Sequence, residues 1–172
     1  MNPSEEYVFP KRGFKSKNRS LLAAMTNKQS HEDGTLSDEE ITWLTRRAKD
    51  GFGIVTTAAS HVSQLGKGWI GEMGVWSDNH LEGLTKLASS LKQYGSLNLV
   101  QIFHGGMKAP FEINNVIPVC PSKMMDESTG KLLARDLKTD EIHQLIEDFS
   151  DAAKRCEDAG FDGIEVTELI HI

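Results

Sequence analysis

Four residues with small or polar side chains lie where apolar runs of the sequence end: Thr26, Ala59, Gln101 and His104. His61 follows just beyond the second of these runs. Hydroxyl, amide and imidazole groups bind a ligand by donating and accepting hydrogen bonds. If the runs are neighbouring parallel strands, these positions meet at one rim, which is where parallel barrels assemble their sites. We therefore take this rim as the candidate binding site.

The segment from Gly66 to Gly71 matches the GxGxxG pattern of dinucleotide-binding loops. That fingerprint has to leave a strand tightly, open a helix and be followed by an acidic residue about 20 positions later. Here the preceding strand ends near Ala59, the next helix begins near Ser77, and Leu91 stands at the acidic position. We predict a flexible glycine-rich loop that binds no dinucleotide.

The residues from Asp33 to Glu40 imitate the second half of a calcium-binding EF-hand loop. Gln29 and His31 stand where the first half of such a loop needs oxygen ligands, and a strand precedes it instead of a helix. The same residues predict a turn and then a helix capped by Ser37, with Glu40 completing a capping box. No metal site is predicted.

Titratable side chains away from the rim have ordinary interpretations. His31, His80 and His143 fall in or beside predicted helices, where we expect surface positions. Cys120 and Cys156 lie 36 residues apart with no CxxC or Cys/His cluster nearby. They are expected to be ordinary thiols of a protein in a reducing compartment.

Charge and hydropathy exclude several classes of function. The 172 residues carry 19 Lys and Arg against 25 Asp and Glu, a net charge of −6. That balance argues against duplex nucleic acid or an anionic membrane as the main partner, since both attract clustered cations. No apolar run approaches the ~18 residues of a membrane span, and no signal peptide is evident. The sequence predicts a cytoplasmic location.

Strands and helices alternate along the predicted chain. Helices are predicted from near Ser37, Ser77 and Thr139, and strands over 20–25, 52–59, 97–103 and 161–166. Alternation of this kind indicates parallel βαβ units and therefore an α/β fold. Both an open doubly wound sheet and a (β/α)8 barrel are compatible with this alternation.

A final strand without a covering helix favours the barrel. Three and a half units match the first half of a fold that needs about 250 residues. We therefore expect a single partial TIM-barrel domain over residues 1–172, the N-terminal half of a (β/α)8 barrel with parallel strands.

Several short motifs occur together in a fixed order. They are Lys17-Asn18-Arg19, Ala23-Ala24-Met25-Thr26, Asp33-Gly34, Arg46-Arg47-Ala48-Lys49-Asp50-Gly51-Phe52-Gly53, Gly74-Val75-Trp76-Ser77-Asp78, Val100-Gln101-Ile102-Phe103-His104-Gly105-Gly106, Pro121-Ser122, and Phe149 to Arg155 with Ala159 to Glu165. On these residues the chain resembles the Old Yellow Enzyme family of FMN-dependent NADH:flavin oxidoreductases. The family's FMN-binding (β/α)8 barrel agrees with the half-barrel expected above.

The resemblance implies a set of cofactor-binding residues. The backbone of Ala23, Ala24 and Met25 would line the isoalloxazine ring of FMN, and the hydroxyl of Thr26 would lie beside its C4 carbonyl. Ala59 would occupy the family's small-residue position at the end of the second strand, and the amide of Gln101 would face the pyrimidine edge of the flavin.

Further expectations concern the reductant, His104 and the N-terminal segment. NAD(P)H would be the reductant. His104 is expected to shape its loop rather than to react. Residues 1–19 would cap the barrel. No catalytic residue is assigned.

Some family positions carry other residues here. Thr167 and Ile170 stand where the family has the His and the His or Asn that orient the ligand, and Ile172 stands where it has a Tyr. His171 is one residue out of register, and Met107 replaces an Arg. Strands five to eight, with their phosphate-binding loops, are not in the sequence. We interpret the tail as the product of a frameshift, early stop or misread gene.

Two functions of different classes follow from the resemblance. The first is an ene-reductase type of oxidoreductase that passes hydride from NAD(P)H through flavin N5 to a small activated alkene, with weak or no activity in this chain alone. The second is a non-catalytic half-barrel that binds no flavin and pairs through its open edges with another copy or another half-barrel. A third reading, a barrel enzyme acting on sugar phosphates, lacks a phosphate loop.

Overall fold

The computed structural model describes residues 2–167. Its elements, in chain order, are β1 (Tyr7–Val8), β2 (Lys15–Ser16), β3 (Leu21–Leu22), α1 (Asp38–Lys49), β4 (Ile54–His61), β5 (Met73–Gly74), α2 (Leu81–Lys92), β6 (Leu97–Phe103), α3 (Phe111–Asn114), β7 (Val119–Cys120), β8 (Met124–Met125), β9 (Leu132–Asp136), α4 (Thr139–Asp158) and β10 (Gly163–Val166). Short 3-10 turns lie at Gln64–Gly66, Asp78–His80 and Gly106–Lys108.

The main sheet is open and entirely parallel. Its order is β10-β6-β4-β3, and β5 pairs with the end of β4. Parallel neighbours bring the carboxyl ends of all these strands to one edge, as the alternation of elements predicts. β1 and β2 form a separate antiparallel hairpin before the sheet.

Helix α1 begins where the sequence places its cap. The Oγ of Ser37 accepts a hydrogen bond from the backbone N–H of Glu40 at 3.1 Å. Acidic side chains occupy the first turn and basic ones the last, which complements the helix dipole. The second half of the predicted capping box is wrong, because the carboxyl of Glu40 turns inward to Asn27 and Ser30.

The core lies between the sheet and the three long helices. Leu44 of α1, Leu84 and Leu91 of α2 and Ala152 of α4 are fully buried against outward-facing residues of the strands such as Ile102. The apolar stripe of α4 is covered only at its carboxyl half. Ile142 is 43% exposed and Ile146 is 59% exposed, so the helix extends past the part of the sheet that packs against it.

Two further features, the first strand of the sheet and the burial of His80, differ from the prediction. The first strand was expected over 20–25 and buried on both faces, but β3 has two residues and Leu21 is 46% exposed. This strand is the edge of an open sheet, so its inner side chains meet no opposing layer. His80, expected at the surface, is only 3% exposed, because the turn that begins α2 packs against Gly74.

The segment between β6 and α4 forms a small sheet that the sequence did not indicate. β7 pairs in parallel with β9, and β8 pairs with β9 in antiparallel fashion. Arg135 on β9 makes a two-point ion pair with Glu141 of α4 at 2.6 and 2.8 Å. This pair holds the small sheet against the start of α4.

The structure also bears on the two cysteines and on membrane-spanning helices. Cys120 and Cys156 are buried free thiols, and burial raises the pKa of Cys156 to about 12. Among the helices within residues 2–167, none is long and apolar enough to cross a membrane.

Candidate functional site

Ala59 and Gln101 lie side by side on neighbouring strands. They are register partners of the β4–β6 ladder, just after a bulge between Thr56 and Ala59. The backbone N–H of Gln101 donates to Oγ1 of Thr57 at 3.2 Å, so a β4 side chain takes the place of a ladder bond. The structure thus brings together two of the residues predicted to bind the cofactor.

The side chain of Gln101 is anchored on its other side by β10. Its Nε2 donates to Oε1 of Glu165 at 2.5 Å, and Glu165 is the register partner of Gln101 in the β6–β10 ladder. Sequence reasoning missed Glu165 as a site residue. Strand alternation could have found it, since Ile164 and Val166 face outward and leave Glu165 on the same face as Gln101.

Residues Ala23 to Thr26 follow β3 toward the same edge of the sheet. They have no regular secondary structure, Met25 is 48% exposed, and Ala23 and Thr26 are also exposed. No hydrogen bond joins Thr26 to Gln101 in the described part of the chain. The segment that follows is fixed, because the buried carboxyl of Glu40 accepts from Nδ2 of Asn27 at 2.9 Å and from the hydroxyl of Ser30.

His104 is a buried part of the rim. Its Nδ1 accepts the backbone N–H of Gly106 at 3.0 Å, which turns the chain after β6, as expected for a loop-shaping residue. Burial lowers the pKa of His104 to about 4. The ring packs directly on the backbone of Gly66, where an added Cβ would lie 2.3 Å from Cδ2.

A second polar cluster organises the loop after β4. Nδ1 of His61 lies 2.9 Å from Oε1 of Glu72, and both residues are 1% exposed. Oε2 of Glu72 accepts the backbone N–H groups of Gly68 and Trp69 at 2.8 and 3.2 Å. The GxGxxG segment, predicted to be flexible, is therefore tied down, and Trp69 stacks on Phe103 with 5.5 Å between ring centroids.

Burial keeps these groups uncharged. It raises the pKa of Glu72 to about 8 and, together with the nearby cation of Lys67, lowers the pKa of His61 to about 3. A neutral carboxyl then donates from Oε1 to Nδ1 of a neutral imidazole. The sequence suggested His61 as a rim residue but gave no signal for Glu72, whose partner is 11 positions away.

The other sequence-marked residues are accounted for as follows. Oδ1 of Asp33 accepts from the N–H and hydroxyl of Thr35, the turn predicted in place of a calcium loop. No group of three metal-binding side chains occurs within the described residues. Met107 lies in the turn after His104, and Thr167 donates its backbone N–H to the carbonyl of Ile102. Ile170, His171 and Ile172 lie outside the described residues.

Comparison with known proteins decides the family. The NADH:flavin oxidoreductase / NADH oxidase family matches residues 13–169. The chain belongs to this family. The family name includes both the flavin and the nicotinamide reductant that the resemblance implied.

Curated relatives agree with this family. The chain is 37% identical to the "Probable NADH-dependent flavin oxidoreductase YqiG" of Bacillus subtilis (strain 168), over 96% of this chain and 45% of that protein. It is 34% identical to an NADPH dehydrogenase of Clostridium acetobutylicum, over 87% of this chain and 43% of that protein. The chain thus spans less than half the length of these relatives.

Structural comparison confirms the fold. The old yellow enzyme homologue of Zymomonas mobilis superimposes with a TM-score of 0.86 and 27% identity, over 96% of this chain and 48% of that chain. The four main parallel strands and three long helices of this chain correspond to about half of such a barrel, as predicted. The sheet does not close on itself within residues 2–167.

Proposed function

We propose that this chain supplies the flavin-binding N-terminal half of an FMN-dependent NAD(P)H oxidoreductase. The observation that supports it is the pairing of Ala59 with Gln101, a small residue beside an amide at the carboxyl edge of a parallel sheet. When bound, FMN supplies hydride transfer from NAD(P)H to an electron-poor acceptor such as an activated alkene.

The residues at the edge fit a flat heterocycle. Ala59 leaves room for the ring, and Gln101 offers a carbonyl and an N–H to a pyrimidine edge that alternates acceptors and a donor. The backbone of Ala23 to Met25, which follows β3, would line the side of this space, and Thr26 would place a hydroxyl donor where negative charge on a ring carbonyl is stabilised. We expect the chain alone to bind FMN weakly and to turn over slowly, because the phosphate-binding loops of such barrels follow later strands.

Titration of the purified full chain with FMN tests this proposal. Quenching of flavin fluorescence that saturates, is lost in Gln101→Leu and is kept in the exposed-helix variant Glu157→Ala supports it. Anaerobic bleaching of the bound flavin by NADH or NADPH then identifies the reductant. A chain that stays colourless and quenches no FMN fluorescence contradicts it.

A second candidate function is a flavin-free assembly module. Its support is a groove of about 410 Å³ between α4 and β10, lined by apolar side chains including Ile142, Ile146, Ile164 and Val166. Val166 is 62% exposed on the edge strand of the sheet, and such edges pair with other chains. A second copy, or another half-barrel, would cover these surfaces.

Light scattering coupled to size exclusion separates the two candidates. The module predicts a dimer without flavin that Ile146→Glu, on the groove, converts to a monomer. The exposed polar substitution Glu147→Lys, on the same helix, is the control and leaves the dimer intact. A monomer that binds FMN supports the oxidoreductase instead.

A further inference from the structure

Glu165 faces the side chain that the proposed cofactor site depends on. The two residues are register partners on neighbouring parallel strands, and Nε2 of Gln101 donates to Oε1 of Glu165 at 2.5 Å. A side-chain amide can turn over, which exchanges its carbonyl with its NH2 group. The identity of its neighbours therefore decides which end reaches the rim.

A carboxylate accepts hydrogen bonds and cannot donate them, so it attracts the NH2 end of the amide and repels the carbonyl end. Within residues 2–167, the side chain of Gln101 makes no hydrogen bond other than the one to Glu165. Its backbone is held from β4 by the hydroxyl of Thr57 at 3.2 Å, and Ala59, its partner on that strand, has no polar side chain.

We propose that Glu165 is a positioning residue that fixes the orientation of the Gln101 amide before the cofactor binds. The carbonyl and the second N–H of the amide are then presented together, which matches a donor flanked by acceptors on a pyrimidine edge. Preorganisation of this kind improves binding by removing the cost of ordering the side chain. The inference rests on the proposed function for its consequence, but the orientation itself is a property of the free chain.

The free chain supplies the first test. The side-chain NH2 resonances of Gln101, identified by their loss in Gln101→Leu, are expected to be widely separated, with one proton shifted downfield by the bond to Glu165. In Glu165→Leu the two resonances move to the positions of a solvent-exposed amide. In Glu165→Gln, whose amide can accept from or donate to Gln101, the downfield shift is expected to shrink. Unchanged Gln101 resonances in Glu165→Leu would overturn the proposal.

FMN affinity supplies the second test. In Glu165→Leu the cost of ordering the Gln101 side chain is paid on binding, and a cost of about 1 kcal/mol corresponds to a roughly 5-fold weaker Kd. Glu165→Gln is also expected to weaken binding, because its amide can accept from the NH2 group of Gln101 or donate to its carbonyl and so selects neither orientation. A purely volume-filling role predicts an unchanged Kd in this near-isosteric variant. Equal Kd values for the wild type and Glu165→Leu would contradict the role.

The two failures are distinguishable. If the wild type binds no FMN, the proposed function fails, while the resonances of Gln101 still decide whether Glu165 orients it. A thermal midpoint measured for each variant identifies any that does not fold, and Glu165→Gln, which preserves the side-chain volume, then carries the comparison.

Discussion

His61 and Glu72 form a buried hydrogen-bonded pair, with 2.9 Å between Nδ1 and Oε1, in which burial raises the pKa of Glu72 and lowers that of His61, so that the uncharged form of both is favoured. The other carboxyl oxygen of Glu72 holds two backbone N–H groups of the loop that carries Trp69. The side chain of Glu72 thereby joins the end of β4 to the loop that carries Trp69.

Glu72→Gln is expected to raise the free energy of unfolding at pH 7, because the amide copies both the donor and the acceptor of a neutral carboxyl, whereas the wild-type carboxyl is neutral when folded and ionises on unfolding. Glu72→Ala should lose about 3 kcal/mol, since it leaves His61 and two backbone donors without a partner. Urea unfolding measures both. A large loss in Glu72→Gln would mean that the native pair is ionised.

The same pair predicts a difference at alkaline pH. The folded pKa of Glu72, about 8, lies above its unfolded value, so its contribution is complete below the unfolded pKa and is lost as pH rises through about 8. Glu72→Gln carries no titratable carboxyl at this position. We expect the variant to be more stable than the wild type in urea at pH 9, and equal stability would contradict the assignment.

Acid is expected to destabilise the chain through three buried imidazoles. Burial lowers the pKa of His61 to about 3 and those of His80 and His104 to about 4. Unfolding releases these groups to their ordinary value near 6.5, so the unfolded state binds more protons and stability falls as pH drops from about 6.5 toward 4. Each imidazole contributes up to ~1.4 kcal/mol per pH unit.

Burial raises the pKa values of Glu72 and Glu40, so these two carboxyls increase the free energy of unfolding as the pH falls over part of this range. The three imidazoles decrease it by more. Urea unfolding at pH 5 should therefore give a free energy at least about 1 kcal/mol below that at pH 7. The exposed His143 provides the control, since His143→Asn should leave both values unchanged. A chain equally stable at the two pH values would contradict the prediction.

Gly66→Ala should destabilise the rim. The added Cβ would lie 2.3 Å from Cδ2 of His104, whose ring is buried and fixed by Gly106. The backbone cannot withdraw freely, because the carbonyl of Gly66 accepts the N–H of Gly105 at 2.8 Å. We expect a loss of about 1–3 kcal/mol in thermal or urea unfolding, as for other overpacked sites. Ser63→Ala, in the same loop, should be near neutral.

The fold was predictable where local signals decide it. Ser37 and the acidic residues after it mark the start of α1, and the apolar run from 97 to 103 marks β6 to the residue. Burial across the sheet was less predictable. Leu21 belongs to an apolar run but faces an open side, and His80 looks like a surface residue until Gly74 is placed against it.

One part of the candidate site, the shared position of Ala59 and Gln101, could be predicted from the sequence. Parallel strands that end together imply that Ala59 and Gln101 share a rim, and the ladder register confirms it. The cofactor-binding roles of Ala23 to Thr26, Ala59 and Gln101 remain predictions. Glu72 escaped notice and Glu40 was assigned to a capping box, because each makes its contacts across a loop, where sequence spacing does not determine which side chains meet.

Glu40 provides the last prediction, which concerns the segment after Thr26. Its carboxyl, 0% exposed, accepts from Asn27 and Ser30 and so fastens the loop between β3 and α1 to the helix. Glu40→Ala should remove about 2–3 kcal/mol of stability, because the buried hydroxyl of Ser30 and the half-buried amide of Asn27 lose their acceptor. It should also free the backbone around Lys28, which has a φ of 54° and is an exposed trypsin site.

Limited trypsin digestion under native conditions measures that release. Cleavage after Lys28 is expected to accelerate at least about 10-fold in Glu40→Ala, the ratio that a loss of 1.4 kcal/mol in local opening produces. Glu39→Ala is the matched control, since that neighbouring carboxylate is exposed at the same turn of α1 and should cleave as the wild type does. Equal cleavage of the two variants would mean that the segment after Thr26 is held by contacts other than Glu40.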